Sequence, residues 1–373
     1  MTATACDACM RRSWLVARLA GAIEIARHEK RVLRELLALS DERLIAALGD
    51  VAGGDAGAEY EDFDVAELRA NTDAAGLAAV CRHDPAYPRR LGDLRDRPAA
   101  LFIAASEAPL DRLARLVGDG AGEPPPAVSI VGARRASPDG LEIARAIAAG
   151  IASAGVTVVS GMALGIDSAA HTGALDAGAG TVAVLASAAN VPYPASKRHL
   201  YRRLLGTGCV ISEMPPGFEP FRWCFPARNR TIAALGSMTV VVEAAERSGS
   251  LITAEVAADL GRDVGAIPGP ITSWRANGTN ALLRDGAVLV RGADDVLDGV
   301  VGLDRLAAAD PSAGLPPKLA SLVRAVGGGR DTLASLAGSP DQAQATLAAL
   351  TELELAGRLR RVPGGRYVAV PPW

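Results

Sequence analysis

The apolar residues of this chain fall into short runs, and the runs alternate with segments whose apolar positions recur at helical spacing. Each run is rich in valine, isoleucine or alanine, which is typical of a strand buried on both faces. The runs predict strands at 128–131, 156–160, 181–185, 209–213, 239–243, 264–267 and 287–290, preceded by a lead-in strand at 101–104. Alternating strands and helices predict an α/β fold with a doubly wound parallel sheet, in a main domain of residues 85–300.

The two ends of the chain follow different patterns. Residues 12–50 are helical in pattern, with one buried stripe formed by Leu33, Leu36, Leu37, Leu44 and Leu48. This pattern predicts a small helical domain over residues 1–80. Beyond a proline-containing linker, the pattern predicts short helices at 318–326, 331–337 and 342–355 and a hairpin at 359–368. Three helices and a hairpin indicate a winged-helix-like domain over residues 311–373.

Composition narrows the class of protein without naming its partner. The net charge is −3, so nucleic-acid binding cannot be inferred from overall charge and requires a local basic patch. The longest apolar runs are too short to cross a bilayer, and Arg18, Glu24 and Arg27 interrupt any signal-peptide core. We therefore expect a cytoplasmic protein with no membrane partner.

The cysteines are odd in number, five over the whole chain, which favours reduced thiols over a disulfide framework. Cys6 and Cys9 form a C-x-x-C pair, but no second pair or neighbouring histidine in the sequence completes a zinc site. The pair is interpreted as small residues near a frayed terminus. No metal and no cofactor are therefore expected.

The first strand of the predicted parallel sheet ends in a turn suited to an anion. Gly132 ends the strand, and Ser137 followed by Pro138 predicts the N-cap and first position of the next helix. Unpaired N–H groups and the helix dipole converge at such a turn, and Arg134 adds a permanent cation. Ligands of parallel sheets lie at the carboxyl ends of the strands, so Ser160–Gly161 belongs to the same crevice.

A second cationic segment follows the third strand. Residues 195–230 contain seven Lys or Arg against two acidic residues. The basic residues are Lys197, Arg198, Arg202, Arg203, Arg222, Arg228 and Arg230, and the interleaved aromatic residues are Tyr193, Tyr201, Phe221, Trp223 and Phe225. Cations that follow a backbone, with rings on which bases stack, suit single-stranded nucleic acid. Trp223 is accordingly predicted to stack on a base. A solvated face with scattered arginines is the alternative.

Other features of the predicted crevice leave alternatives open. Ser248-Gly249-Ser250 begins a predicted helix and either binds a phosphate or only caps that helix. Asp167 and His171 lie four residues apart on one helix face. They form either a general-base pair or, as we favour, structural hydrogen bonds that hold the glycine turn. Residues 225–230 are predicted as a loop before a helix at 231–235. Gly132-x-Arg134 matches neither a dinucleotide fingerprint nor an ATP-binding loop.

Several short motifs occur in a fixed order between residues 85 and 295. They are Ile130–Arg134 with Ser137 and Gly140, Ser160–His171, Tyr193–Pro194, Ser212–Glu213, Phe225–Arg230, Val242–Ala244, Ser248–Ala254, Pro268–Gly269 and Asn277–Asn280. Their order and spacing resemble the DNA-processing protein A family, also called DprA or Smf. The resemblance implies an extended Rossmann-like fold that binds single-stranded DNA without catalysis and forms a homodimer. It also implies protection of incoming DNA during natural transformation and loading of the RecA recombinase.

The resemblance assigns roles to residues that match the family motifs. Arg134 is expected to hold a phosphate, with Arg228–Arg230 beside it and a basic segment after Tyr193–Pro194. Ala186 and Ala188 depart from the family, which usually has glycines there. The predicted DNA-binding residues are Gly132, Arg134, Ser137, Ser160, Gly161, Lys197, Arg198, Arg228, Asn229, Arg230, Ser248, Gly249 and Ser250.

The strongest competing hypothesis is an enzyme. A nucleotide-monophosphate phosphoribohydrolase of the lysine-decarboxylase-like group shares this type of sheet and resembles a P-G-G-x-G-T-x-x-E pattern, in which the acid acts. Here Glu255 follows Thr253 too closely, and the double glycine is missing. A third hypothesis is an adaptor that works through its end domains.

Overall fold

The computed structural model describes residues 5–29, 32–301, 312, 315–337, 339–356, 358–362 and 365–369. The chain divides into two compact units, Met1–Val300 and Val301–Trp373. The first unit contains a large sheet and the second a small one. Within the described ranges, no helix has the length and apolar character needed to span a membrane.

The large sheet has nine strands in the order β1-β2-β6-β5-β4-β3-β7-β8-β9. Its strands are β1 Ala78–Cys81, β2 Ala100–Ala104, β3 Ala127–Val131, β4 Thr157–Ser160, β5 Thr181–Leu185, β6 Cys209–Ser212, β7 Met238–Val241, β8 Asp263–Ala266 and β9 Val288–Leu289. The seven strands from β6 to β9 along this order are parallel, as predicted. β2 is antiparallel to both β1 and β6. Because β3, β4, β5 and β7 are parallel, their carboxyl ends lie at the same edge of the sheet.

Helices cover both faces of the sheet because successive side chains of a strand point to opposite sides. In β5, Val182 and Val184 pack into one apolar core with residues of the following helices, whereas Ala183 and Leu185 pack into a second core. The helices of the first unit are α1 Asp7–Arg18, α2 Ala20–His28, α3 Leu33–Ala38, α4 Asp41–Ala52, α5 Ala56–Asp62, α6 Val65–Ala74, α7 Pro109–Val117, α8 Pro138–Ser153, α9 Ile166–Asp176, α10 Arg198–Thr207, α11 Cys224–Leu235, α12 Gly249–Asp259, α13 Asn277–Arg284 and α14 Ala293–Val301.

The helical segment before the sheet packs against its β1 edge. Met10 of α1 and Leu68 of α6 share an apolar core with Phe102 of β2. The prediction of a purely helical segment to residue 80 was wrong at its end, because β1 begins at Ala78. This strand is a four-residue apolar run, too short to stand out against the preceding helices. The start of the chain is also not frayed from residue 5 onward, since Cys9 is buried on α1.

Helix α11 begins earlier than predicted. Residues 225–230, predicted as a loop, form its first half, and the helix begins at Cys224. Pro226 lies in the first turn of this helix. The N–H groups of the first helical turn have no partner within the helix, so a proline there removes nothing that the helix uses.

The second unit contains the predicted helices and hairpin. They are α15 Pro317–Gly327, α16 Leu333–Leu336, α17 Pro340–Leu355, β10 Leu359–Val362 and β11 Arg366–Ala369. Val323, Leu350 and Tyr367 contribute to its apolar core. The two strands pair antiparallel. This is the arrangement of a winged-helix domain, which confirms the prediction from the spacing of apolar residues.

Candidate functional site

The turn after β3 is fixed by contacts with two neighbouring segments. Ala133 N donates to Glu243 O at 2.7 Å, and Ile166 N donates to Ala133 O at 3.2 Å. Gly165 has a φ of +81°, and a Cβ there would lie 2.1 Å from Ala133 O. A side chain at Gly132 would likewise lie 2.6 Å from Ile166 Cγ1. The backbone of this turn is therefore held in one position at the edge of the sheet.

Ser137 forms the predicted cap of α8. Its Oγ accepts from Gly140 N at 3.0 Å, and its own N–H donates to the Glu243 carboxylate at 2.8 Å. Because both groups already have partners, Ser137 acts first as a structural cap. Ser160 also faces inward, since its buried Oγ donates to Ile130 O at 2.6 Å.

A crevice of about 510 Å³ opens beside this turn, and its walls are strongly cationic. One acidic side chain, Asp167, lines it among the described residues, together with six arginines: Arg27, Arg134, Arg135, Arg228, Arg247 and Arg275. A cleft lined by one sign of charge concentrates the opposite charge. The crevice is therefore suited to a polyanion, although the chain as a whole carries a net charge of −3.

Aromatic rings lie beside the arginines at two places in the crevice. The exposed Arg134 guanidinium lies 4.9 Å from the centroid of the Phe225 ring. Phe225 in turn lies 5.5 Å from Tyr193, centroid to centroid. On another wall, Arg275 lies 4.6 Å from the Trp274 ring, whose residue is 59% exposed. Cations and rings thus alternate along the surface.

Arg228 is buried and joins the turn after β4 to β5. Its Nη1 donates to Gly161 O at 2.7 Å and to Val184 O, which lies near the end of β5. A Cβ on Gly161 would lie 2.4 Å from that nitrogen, which explains the glycine. Burial lowers the pKa of Arg228 to about 10, and the Asp167 carboxylate opposes this shift. The guanidinium therefore remains charged at neutral pH.

Arg230 does not line the crevice. Successive helical residues are about 100° apart, so Arg228, Asn229 and Arg230 point in three directions once α11 includes them. Arg230 is buried in ion pairs with Asp96 at 2.9 Å and Glu213 at 2.8 Å. Asn229 remains at the crevice, where its Nδ2 donates to Gly249 O at 3.2 Å.

The remaining predicted site residues divide between the crevice and its surroundings. Ser248–Ser250 lines the crevice at the start of α12, and Ser250 N donates to Ser248 Oγ at 3.4 Å. Lys197 ends a short 3-10 helix and Arg198 begins α10. Neither is among the residues that line the crevice.

Asp167 and His171 bond to different groups. Ala163 N donates to Asp167 Oδ2 at 3.4 Å, whereas His171 Nδ1 lies 2.9 Å from Thr181 Oγ1. Burial raises the pKa of Asp167, and the positive charge of Arg228 opposes this rise. Burial lowers the pKa of His171 to about 3, so its imidazole is neutral. These separate bonds favour the structural interpretation of the pair.

The prediction that Trp223 stacks on a ligand was wrong. Trp223 is fully buried, and its Nε1 donates to Ala20 O at 2.9 Å. Sequence reasoning missed four arginines that line the crevice, Arg27, Arg135, Arg247 and Arg275, together with Trp274. Trp274 and Arg275 follow Pro268–Gly269 after β8, so the strand-end rule applied to that strand would have found them.

A cluster outside the crevice contradicts the expectation that no metal-ligand group exists. Cys6, Cys9, Cys81 and His83 bring their ligand atoms within 4.8 Å of one another. The sequence does not reveal it because the two halves come together only when β1 packs beside α1.

The sheet and its crevice define a class: a doubly wound α/β protein with an arginine-lined cleft at the strand ends. The family described as DNA recombination-mediator protein A matches residues 78–300. A DprA winged helix domain matches residues 306–365. The chain therefore belongs to the DNA recombination-mediator protein A family, whose members are named DprA or Smf.

Individual relatives agree with this assignment. A DprA protein of Mycobacterium tuberculosis strain H37Rv is 40% identical over 254 residues, which are 68% of this chain and 59% of the relative. This chain thus spans about three fifths of that relative. The DNA processing protein DprA of Streptococcus pneumoniae is 34% identical over 69% of this chain and 88% of its own length.

Two solved structures are similar in fold. The X-ray structure of DprA from Streptococcus pneumoniae has a TM-score of 0.61 and 32% identity, covering 80% of this chain and 99% of the other. DNA processing protein A from Helicobacter pylori, described for its single-stranded DNA binding mode, has a TM-score of 0.51 and 25% identity. That match covers 60% of this chain and 94% of the other.

Proposed function

We propose that the crevice binds single-stranded DNA by its sugar–phosphate backbone, as part of DNA processing in natural transformation and recombination. The observation that carries the proposal is the lining itself, with six arginines and one aspartate. The Helicobacter pylori relative, described for binding single-stranded DNA, supports it.

The aromatic rings favour a single strand over a duplex. Tyr193 and Trp274 are exposed by 42% and 59% and are free to meet a planar partner. Bases offer their faces for stacking only when they are unpaired, and such stacking is tolerant of sequence. Arginine–phosphate contacts do not read sequence either. The site therefore takes a strand of any sequence.

Fluorescence anisotropy with labelled oligonucleotides tests this function. We expect tighter binding to single strands than to duplexes, and a steep loss of affinity as salt rises. For single strands, each phosphate contact lowers the logarithm of the binding constant by about 0.7 for every tenfold rise in salt concentration. Arg134→Ala and Arg275→Ala should each weaken binding to all sequences alike and reduce that slope.

Arg284→Ala is the matched control for these variants, because Arg284 is an exposed arginine of the same unit that pairs with Asp285. It should leave both affinity and salt slope unchanged. Equal losses from Arg284→Ala and Arg134→Ala would show that binding follows overall charge rather than the crevice. Loss confined to selected sequences would indicate base readout and contradict the phosphate assignment.

We also infer that the crevice binds without catalysing a reaction. Glu255, the acid that a phosphoribohydrolase would need, is exposed on α12 and is not among the residues lining the crevice. Asp167 and His171 are buried and bond to other groups. Incubation with nucleoside monophosphates should release no base. Turnover abolished by Glu255→Gln would overturn this inference.

The finer role proposed here rests on family membership. We propose a cytoplasmic homodimer that protects incoming single strands and helps load RecA onto them. Nuclease digestion of a bound oligonucleotide tests protection, and strand exchange by RecA in the presence of single-strand-binding protein tests loading. Arg134→Ala should reduce both activities in proportion to its loss of affinity.

A further inference from the structure

Two distant parts of the chain bring three thiols and an imidazole together at the β1 edge of the sheet. Cys6 is the N-cap of α1 and Cys9 lies in its first turn. Cys81 ends β1, and His83 follows it in a turn. His83 Nδ1 lies 3.4 Å from the sulfur of Cys6 and 3.4 Å from that of Cys9. All four ligand atoms lie within 4.8 Å of one another.

The cluster has features of a built site. Cys9 and Cys81 are each 1% exposed, so half of it is enclosed by protein. The backbone N–H of Cys6 points at Cys81 Sγ, with the nitrogen 3.4 Å from the sulfur. Such hydrogen bonds to ligand sulfurs orient and stabilise them in metal–thiolate centres. Among the described residues, Cys6, Cys9 and Cys81 form no disulfide bond.

We propose that Cys6, Cys9, Cys81 and His83 bind one Zn²⁺ as a tetrahedral, structural Cys3His site. Zinc bonds of about 2.3 Å to sulfur and about 2.0 Å to nitrogen place tetrahedral ligand atoms about 3.5–3.8 Å apart. The 3.4 Å separations from His83 Nδ1 agree with that geometry. Thiolates and imidazole are ligands that zinc prefers over the hard cations.

Binding requires the three thiols to lose their protons to solvent, while His83 coordinates as neutral imidazole through Nδ1. With four protein ligands the zinc has no open position for water, which distinguishes a structural site from a catalytic one. The ion joins α1 to an edge strand that lies 75 residues away in sequence. It would therefore fasten the N-terminal helices to the sheet that carries the crevice.

Metal analysis of the full-length chain tests the proposal. Protein purified under reducing conditions without chelator, and with any affinity tag removed, should contain about one zinc per chain. Cys81→Ala should lose that zinc. Cys209→Ala is the matched control, because Cys209 is also a fully buried strand cysteine and has no part in the cluster. It should retain the metal.

Cobalt substitution provides a measurement that does not depend on variants folding. The unaltered protein should show the absorption of tetrahedral Co²⁺ with thiolate-to-cobalt charge transfer. His83→Cys, which retains four ligands, should still bind and shift that spectrum toward four thiolates, whereas His83→Ala should bind more weakly. Chelation should lower the melting temperature of the unaltered protein and of Cys209→Ala.

Three results would overturn the site. The first is a metal content below about a tenth of an equivalent of zinc or cobalt in the unaltered protein, measured after reconstitution under reducing conditions. Another is a disulfide within the cluster that persists in a reductant strong enough to reduce exposed disulfides. The third is equal zinc in Cys81→Ala and Cys209→Ala, which would place the metal elsewhere.

Discussion

Three arginines near the crevice show that burial and partners decide what an arginine does. Arg134 is exposed and stacks on Phe225, so its guanidinium edge is available to a phosphate. Arg228 is buried and donates hydrogen bonds to two carbonyl groups. Arg230 neutralises Asp96 and Glu213. Arginine thus occurs here as an exposed cation, as a link between a turn and a strand, and as a buried counter-ion.

Removal of Arg230 should destabilise the fold. Arg230→Ala leaves two carboxylates without their cation in a buried site, and breaking such a pair costs about 3–5 kcal/mol. Urea unfolding measures the loss. Arg203→Ala, which breaks the exposed pair with Asp176, should cost no more than about 1 kcal/mol. Similar losses in the two variants would mean that the Arg230 cluster contributes no more than a surface pair.

His171 should make stability depend on pH below neutrality. Its pKa falls from 6.5 to about 3 on burial, so between these values the unfolded chain binds a proton that the folded protein excludes. Stability from this residue is complete above pH 6.5 and is lost as the pH falls toward 3. Between pH 7 and pH 5 the loss is about 1–2 kcal/mol.

His171→Gln removes this titration and retains a partner for Thr181. Urea unfolding of both proteins at the two pH values should show a smaller acid loss in the variant. The raised pKa of Asp167 acts in the opposite direction, but it is common to both proteins and cancels in the comparison. An identical acid loss would show that His171 is not the residue responsible.

At the scale of elements, β5 shows why the strands were predictable. Thr181–Leu185 is buried at every position, so both faces demand apolar residues and the run is continuous in the sequence. The predicted start of α11 at residue 231 was too late, since the helix begins at Cys224 and its first turn accommodates Pro226. The crevice was located from strand ends, but the inward direction of Arg230 depends on the length of α11. Burial of Trp223 depends on packing against α2, which no local pattern records.

The cap of α8 follows the turn that lines the crevice, and its contribution to stability can be tested. Ser137→Ala removes the acceptor for Gly140 N and should cost about 1 kcal/mol, whereas Ser137→Gly should cost only a few tenths. Thermal or urea unfolding gives both values. Affinity for oligonucleotides should change little in either variant, since the Ser137 groups already have partners. A large loss of affinity without loss of stability would assign Ser137 a direct contact with DNA.

At the scale of the whole molecule, the crevice lies entirely in the first compact unit. All the residues that line it precede Val300. The positive charge of the crevice is therefore local, in a chain whose total charge is −3. This separation predicts that the winged-helix unit can be removed without loss of the site.

A chain ending at Val300 should retain most of the affinity for single strands and the same salt slope. Anisotropy against the full-length protein, under identical salt, measures both. The truncated protein with Arg134→Ala serves as the negative control. A fall in salt slope of about 0.7 or more on truncation would show that the winged-helix unit contributes at least one phosphate contact.

The strand order has a consequence for synthesis on the ribosome. β1 and β2 are made early, but β2 completes its pairing only with β6, which begins at Cys209. Until that strand leaves the exit tunnel, the first hundred residues have an unpaired edge and an apolar face without its cover. While residues 105–212 are being made, more than a quarter of the chain, the nascent protein is therefore prone to misassembly and to chaperone binding, because exposed edges and apolar faces favour both.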